Sequence, residues 1–273
     1  MQLYKDFIDT QKQNIEDYFK NVSLHESQFN FTDFNKICVD EMYTKNEQSN
    51  IKTVAELKKC FPELKDTCKK CGDYFMKQRN NSVKGLDVQM GEFLEKQIME
   101  YLNNKLKIKA MKADKTNRKY PDCMILNTDK GILAYFEVKY HGAPFLTAIN
   151  KIGRYCYEGS ATLDFNKVKN QLDIIYSDLE RPVFYLHWID YPCIKGLFFE
   201  TSDQVKQYLI ESGEEFDRAD RTGDFININR DGYEVVHKVG YTKKFYSPLL
   251  QMGTFEEFIE IIKDMKKNGV RME

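Results

Sequence analysis

Three ionisable residues stand where packing gives them no reason to be. In YPDCMILNTDKGILAYFEVKY, from Tyr120 to Tyr140, the residues Asp122, Glu137 and Lys139 interrupt two apolar, strand-like runs. An extended strand alternates its side chains, so Ile132, Ala134, Phe136 and Val138 share one face and Leu133, Tyr135, Glu137 and Lys139 the other. The first set is wholly apolar and is expected to be the core face. The segment NTDKG between the runs suits a tight hairpin, which folds Asp122 back toward Glu137. Two carboxylates brought together repel and raise one another's pKa unless a cation lies between them. Mg²⁺ takes such a ligand set: carboxylates, a carbonyl, waters and phosphate oxygens. A lysine alongside can orient or deprotonate the attacking water or stabilise charge developing on phosphorus. The grouping predicts a metal-dependent site that cleaves phosphodiesters.

The elements that must position these groups are legible as periodicity. DVQMGEFLEKQIMEYLNNKL, from Asp87, places Met90, Phe93, Leu94, Ile98, Tyr101 and Leu102 on one stripe, as in a helix packed on a sheet. Strands are expected at about 106–112, 121–126 and 132–140. A helix is expected over Asp164–Glu180, with Phe165, Val168, Leu172, Ile175, Tyr176 and Leu179 inward, stopped by Arg181-Pro182. The continuous apolar run VFYLHWI, Val183–Ile189, then fits a buried central strand. Beyond it lie a strand-like GLFFE (Gly196–Glu200), a helix from about 202, and a β stretch whose Arg-Asp-Gly marks a turn. Two capping boxes, Thr53-Val-Ala-Glu56 and Thr254-Phe-Glu-Glu257, open helices, the second at the C-terminus. Residues 1 to about 80 read as mostly helical, with apolar spacing at Leu3, Phe7, Ile8, Ile15, Tyr18 and Phe19. The expected division is a helical N-terminal extension (1–85), an α/β core (86–200) and a C-terminal α/β part (201–273) packed on that core, serving DNA recognition or dimerisation.

Composition narrows the class. At 273 residues with 42% hydrophobic and 30% charged side chains, the chain can bury a core and is not a disordered polymer. The net charge of −1 gives no global attraction to nucleic acid, so charge must be read locally. One local run is strongly basic: KLKIKAMKADKTNRK carries Lys105, Lys107, Lys109, Lys112, Lys115, Arg118 and Lys119 against Asp114 alone. It reads either as a solvated strand and loop or as a ridge facing phosphates. Seven cysteines without regular spacing do not form a secreted disulfide framework, and neither a signal core nor a membrane-length apolar run is present. The expectation is a soluble, reduced, cytoplasmic protein.

At this point the sequence resembles a known family, the PD-(D/E)XK nucleases. Pro121-Asp122 matches the first half of the motif and Glu137-Val138-Lys139 the second, in its E-X-K form. The order helix, three strands, helix, strand over roughly residues 87–190 is similar to the family's core, a restriction-endonuclease-like mixed sheet flanked by helices. Gly91-Glu-Phe-Leu-Glu95 resembles the family's helical glutamate setting, with Glu95 as the match and Glu92 as the fallback. The resemblance implies that Asp122, Glu137 and the backbone carbonyl of Val138 bind one or two Mg²⁺ ions, with Mn²⁺ able to substitute. Lys139 would act on the water, and Glu95 would join through a water or a second metal. It implies a double-stranded DNA endonuclease leaving 5′-phosphate and 3′-hydroxyl ends, in particular a homodimeric type II restriction enzyme of a prokaryote or phage with a cognate DNA methyltransferase. The alternatives are a repair, recombination or mobile-element nuclease of the same fold, and a non-catalytic DNA-binding module. The chain carries no phosphate-binding GxxxxGK[ST] loop, which argues against an ATP-driven nuclease.

Further residues are candidates for nucleic-acid contact: Lys112, Lys115, Arg118 and Lys119 in the basic run, His141 just beyond Lys139, and Arg154 in the long segment after it. Lys167 and Gln171 lie on the polar side of the following helix, where a plain solvated face is the competing reading. His187, inside VFYLHWI, is expected to be a satisfied core histidine. Cys68-Lys-Lys-Cys71, with Cys60 and His25, has the spacing of half a zinc site. It lacks a second pair and reads as packed cysteines.

Overall fold

The computed structural model describes residues 2–20, 86–114, 116, 120–127, 131–141, 160–190, 195–211, 216–217, 220, 224–240, 243–249 and 252–268. The elements are α1 (Gln2–Lys20), α2 (Leu86–Asn104), β1 (Ala110–Lys112), β2 (Cys123–Leu126), β3 (Ile132–His141), β4 (Ser160–Asp164) and α3 (Phe165–Ile174), which runs into a π-helical turn, Ile175–Leu179. They continue with β5 (Val183–Asp190), β6 (Lys195–Thr201), α4 (Ser202–Glu211), β7 (Phe216–Asp217), β8 (Phe225–Arg230), β9 (Tyr233–Lys238), β10 (Lys243–Pro248), β11 (Gly253–Thr254) and α5 (Phe255–Asn268). Thr53–Glu56, Cys60, Cys68, Cys71 and His25 lie outside the described residues.

The architecture is mixed α/β: a six-stranded mixed sheet in the order β1-β2-β3-β5-β6-β11, flanked by helices. β1, β2 and β3 form an antiparallel meander, β5 joins β3 in parallel through the α3 crossover, and β6 returns antiparallel. The expected order of helix, three strands, helix and strand is present between α2 and β5. β4 was not expected. It falls in a segment read as loop and pairs with β10 in a separate small sheet, β4-β10-β7.

Both faces of the main sheet are buried, as the continuous apolar run of β5 implies, whereas the alternation of β3 pointed to a single core face. Ala134, Phe136, Val138, Phe184, Leu186, Trp188 and Leu197 pack under α1, α2 and α5. On the other face Tyr135, Val183 and Tyr185 meet Leu163, Val168, Leu172, Ile175, Val205 and Phe245 from β4, α3, the π turn, α4 and β10. A parallel crossover accounts for this, because its helix covers the second face.

The strict alternation expected for β3 fails at its first two residues. Ile125 pairs with Ala134 but Leu126 pairs with Ile132, so Leu133 is an extra residue, a β-bulge. The bulge turns Leu133 to the α2 side and leaves Ile132 against the α3 side, the reverse of the expected assignment. From Ala134 onward the alternation holds, and it is this part that carries the chemistry.

α1 shares the main core. Tyr4, Phe7 and Ile15 are buried in it, the Phe7 ring meets Trp188 edge-on at 5.0 Å, and Trp188 Nε1 donates to the Tyr4 hydroxyl at 3.2 Å. At the other terminus the second capping box forms: Thr254 N–H donates to Glu257 Oε2 at 2.6 Å and Glu257 N–H returns a bond to Thr254 Oγ1 at 3.3 Å.

Candidate active site

β3 carries Glu137, Lys139 and His141 on the face toward α3. Asp122, one residue before β2, comes opposite Glu137 because the register pairs Cys123 with Phe136. Two bonds pin the Asp122 main chain: its carbonyl accepts from Ala113 N–H at 3.0 Å, and its own N–H donates to Glu137 Oε2 at 3.1 Å. The expected convergence of Asp122 and Glu137 is therefore built into the strand register.

Glu137 is fully buried and surrounded by donors. Besides the Asp122 N–H, it accepts from Lys139 Nζ, from Lys167 Nζ at 3.0 Å and from Gln171 Nε2 at 3.1 Å. Gln171 is itself held by the Tyr185 hydroxyl, which donates to its Oε1 at 2.9 Å. Burial alone would raise the Glu137 pKa. The ammonium groups of Lys139 and Lys167 overcome that and hold it well below the usual carboxylate range. Lys167 is raised in return: burial works against its charge, but Glu137 and Asp122 outweigh burial. Asp122 goes the other way, pushed up to about 6 by burial and by the charge of Glu137.

The same geometry presents hard oxygen donors. Tyr135 N–H bonds to Pro182 O at 2.9 Å on the β5 side. Backbone direction alternates along an extended strand, so the Val138 carbonyl faces the β2 side, just past the start of β2 and toward Asp122. Two carboxylates and a carbonyl are hard donors of the kind a small divalent cation takes, and the raised Asp122 pKa comes first from burial and then from the charge of Glu137, against the opposing ammonium groups of Lys139 and Lys167. Among the described residues, groups of three or more His, Cys, Asp or Glu side chains that could form a metal site are absent. An ion held by Asp122, Glu137 and one carbonyl would complete its coordination with water.

The other candidates distribute unevenly. Lys167 and Gln171, four apart on α3, turn the same helix face inward onto Glu137; that spacing was the available signal, while the competing reading was a solvated face. Glu95 is buried on α2 and ion-paired with Lys112, so both named residues are engaged with each other. Lys112 pairs in register with Cys123, whose side chain lies in the α2-side core, so this ion pair forms on the face of the sheet opposite the Glu137 carboxylate. Glu92 is exposed. His141 and His187 are joined ring to ring, and His187 is fully buried as expected. Lys115, Arg118, Lys119 and Arg154 lie outside the described residues. Tyr185 and Glu200 were not singled out from sequence, because an aromatic and an acid in central strands carry no motif.

The fold and site together describe a mixed α/β protein with a buried carboxylate–lysine cluster at the middle of its sheet. No family model matches the chain, and the comparison with curated proteins gave no match. Among solved structures, one described as a nuclease from a fusselovirus is similar at 13% identity with a TM-score of 0.34, over 66% of this chain and 90% of that one. No described helix is long and apolar enough to cross a membrane.

Proposed function

We propose that the chain is a Mg²⁺-dependent nuclease that hydrolyses phosphodiester bonds in double-stranded DNA. The observation that carries this reading is the meeting of Asp122, Glu137 and Lys139 at the start of the β2–β3 pairing, with Glu137 fully buried. Asp122, Glu137 and the Val138 carbonyl would hold the cation, which when bound polarises the scissile phosphate and its attacking water. Lys139 and Lys167 supply fixed positive charge where negative charge develops on phosphorus. Gln171, locked by Tyr185, keeps Glu137 from turning away.

The particular form proposed is a homodimeric type II restriction enzyme, one active site for each strand, accompanied by a DNA methyltransferase and yielding 5′-phosphate ends. Incubation of unmodified plasmid with the protein, with Mg²⁺ and then with EDTA, tests both levels. Discrete Mg²⁺-dependent fragments support a restriction enzyme; cutting confined to nicks, junctions or ends supports a repair or recombination nuclease. Absence of any cleavage with Mg²⁺ or Mn²⁺, or cleavage retained in Asp122→Asn and Lys139→Ala, removes the nuclease reading.

A further inference from the structure

A second polar line runs through the same sheet and plays no part in holding Glu137. His141 Nε2 lies 3.0 Å from His187 Nδ1, and His187 Nε2 lies 2.9 Å from Glu200 Oε1. The three residues come from adjacent strands β3, β5 and β6, and the two rings meet edge to edge in nearly the same plane, with 5.2 Å between centroids and 19° between planes. His187 and Glu200 are fully buried, and Glu200 Oε2 has no partner among the described residues. His141 is part-exposed and lies on the same face as Lys139, two residues on; His187 is the in-register neighbour of Lys139 on β5. An isolated carboxylate in a protein interior is costly, so a buried Glu–His–His line beside a catalytic lysine calls for a reason.

Hydrogen-bond chemistry restricts what the line can do. A carboxylate at Glu200 only accepts, so His187 keeps its proton on Nε2. The single proton between the rings then sits either on His141 Nε2, leaving His141 Nδ1 a bare acceptor, or on His187 Nδ1, making His187 an imidazolium and His141 Nδ1 a donor.

We propose that Glu200, His187 and His141 form a proton relay that removes a proton from water beside Lys139 and stores its charge in the buried His187–Glu200 pair. The relay rests on the nuclease reading for its substrate and on geometry for its operation. The steps balance: the water O–H breaks and an N–H forms on His141 Nδ1. The His141 Nε2–H breaks and an N–H forms on His187 Nδ1, while His187 Nε2–H stays on Glu200. Hydroxide remains to attack phosphorus, and His141 ends neutral. Neutrality matters there because burial, His187, Lys139 and Lys244 all oppose charge on His141. His187 has His141 and, in register, Lys139 beside it on β3 and Glu200 on β6, and Glu200 faces His187 and Tyr185, so the stored charge rests against a carboxylate.

The chain has four histidines, which makes the test tractable. Imidazole ¹⁵N spectra of the full chain are followed as pH is lowered, within the range where near-ultraviolet circular dichroism shows an intact fold. The expected result is that His187 takes the imidazolium pattern while His141 stays neutral and exchanges Nε2–H for Nδ1–H. In Glu200→Gln the exchange of His141 Nε2–H for Nδ1–H is expected to be lost. Charge appearing on His141 with His187 neutral, tautomers that never change, or a Glu200→Gln spectrum identical to the native one overturns the relay. Should Glu200→Gln fail to fold, His141→Asn at the part-exposed end provides the activity arm. It is expected to slow single-turnover cleavage on the order of 10²-fold with DNA affinity kept, and an unchanged rate overturns the relay's part in cleavage. A native chain that cuts no DNA sinks the nuclease reading instead and leaves the relay to the spectra.

Discussion

The main-chain N–H of Asp122 donates to Glu137 Oε2 over 3.1 Å, so the backbone of one acid is fastened to the carboxylate of the other. This bond sets the spacing of the two carboxylates before any ion arrives. Its electrostatic consequences differ for the two residues: at Glu137 the two ammonium groups and their hydrogen bonds outweigh burial, whereas at Asp122 burial and the charge of Glu137 outweigh the same two ammonium groups.

A raised carboxyl pKa favours the folded state when the group is protonated, so the Asp122 contribution is unfavourable above about 6 and vanishes below its ordinary value of 3.8. Asp122→Asn is therefore expected to stabilise the metal-free protein at pH 7.5, by about 1–3 kcal/mol, and to be nearly neutral in stability at pH 3.5. Thermal melts at the two pH values check this; equal melting shifts at both would contradict it.

Mg²⁺ should relieve the same repulsion. Native protein is expected to melt higher in millimolar Mg²⁺ than in EDTA, by mass action on the folded state, and Asp122→Asn should lose most of that increment. Calorimetric scans of both proteins in both buffers decide the point.

Replacing Glu137 by Gln leaves Lys139 and Lys167 without their shared anion. Loss of a buried ion-pair partner typically costs about 3–5 kcal/mol, and the partial exposure of both lysines reduces this to about 1–3 kcal/mol because they can turn toward water. Urea unfolding gives the number. The pH dependence has the opposite sign from Asp122: stability supplied by native Glu137 is present above about 4.5 and declines as pH falls below it.

α1 is expected to be essential to the fold. Phe7 is fully buried against Trp188 and Tyr101, so Phe7→Ala should cost about 3–5 kcal/mol, whereas the exposed Lys12→Ala on the same helix should change stability by less than about 0.5 kcal/mol. Comparable effects from the two substitutions would show that α1 does not contribute to the core.

Much of this protein was readable from local pattern. The heptad-like stripe of α2, the apolar run of β5, the Asp231-Gly232 turn between β8 and β9 and the capping box at Thr254 are short-range signals, and each appears where its residues predict it. The pairing of Asp122 with Glu137 was also local, because a hairpin brings its two ends together by register alone.

What tertiary structure decided is what depends on the second face of the sheet. Nothing within β3 indicates that Lys167 and Gln171 will descend on Glu137, since that follows from where the crossover helix docks. Nor does it indicate that Glu95 will be held by Lys112 on the opposite face, or that a bulge will exchange Ile132 and Leu133. Sequence determines which residues carry charge and which segments extend or coil, because those preferences act over a few residues. Which charges meet is set by contacts between segments far apart in the chain, where burial makes an unpaired ion costly and so selects the partners.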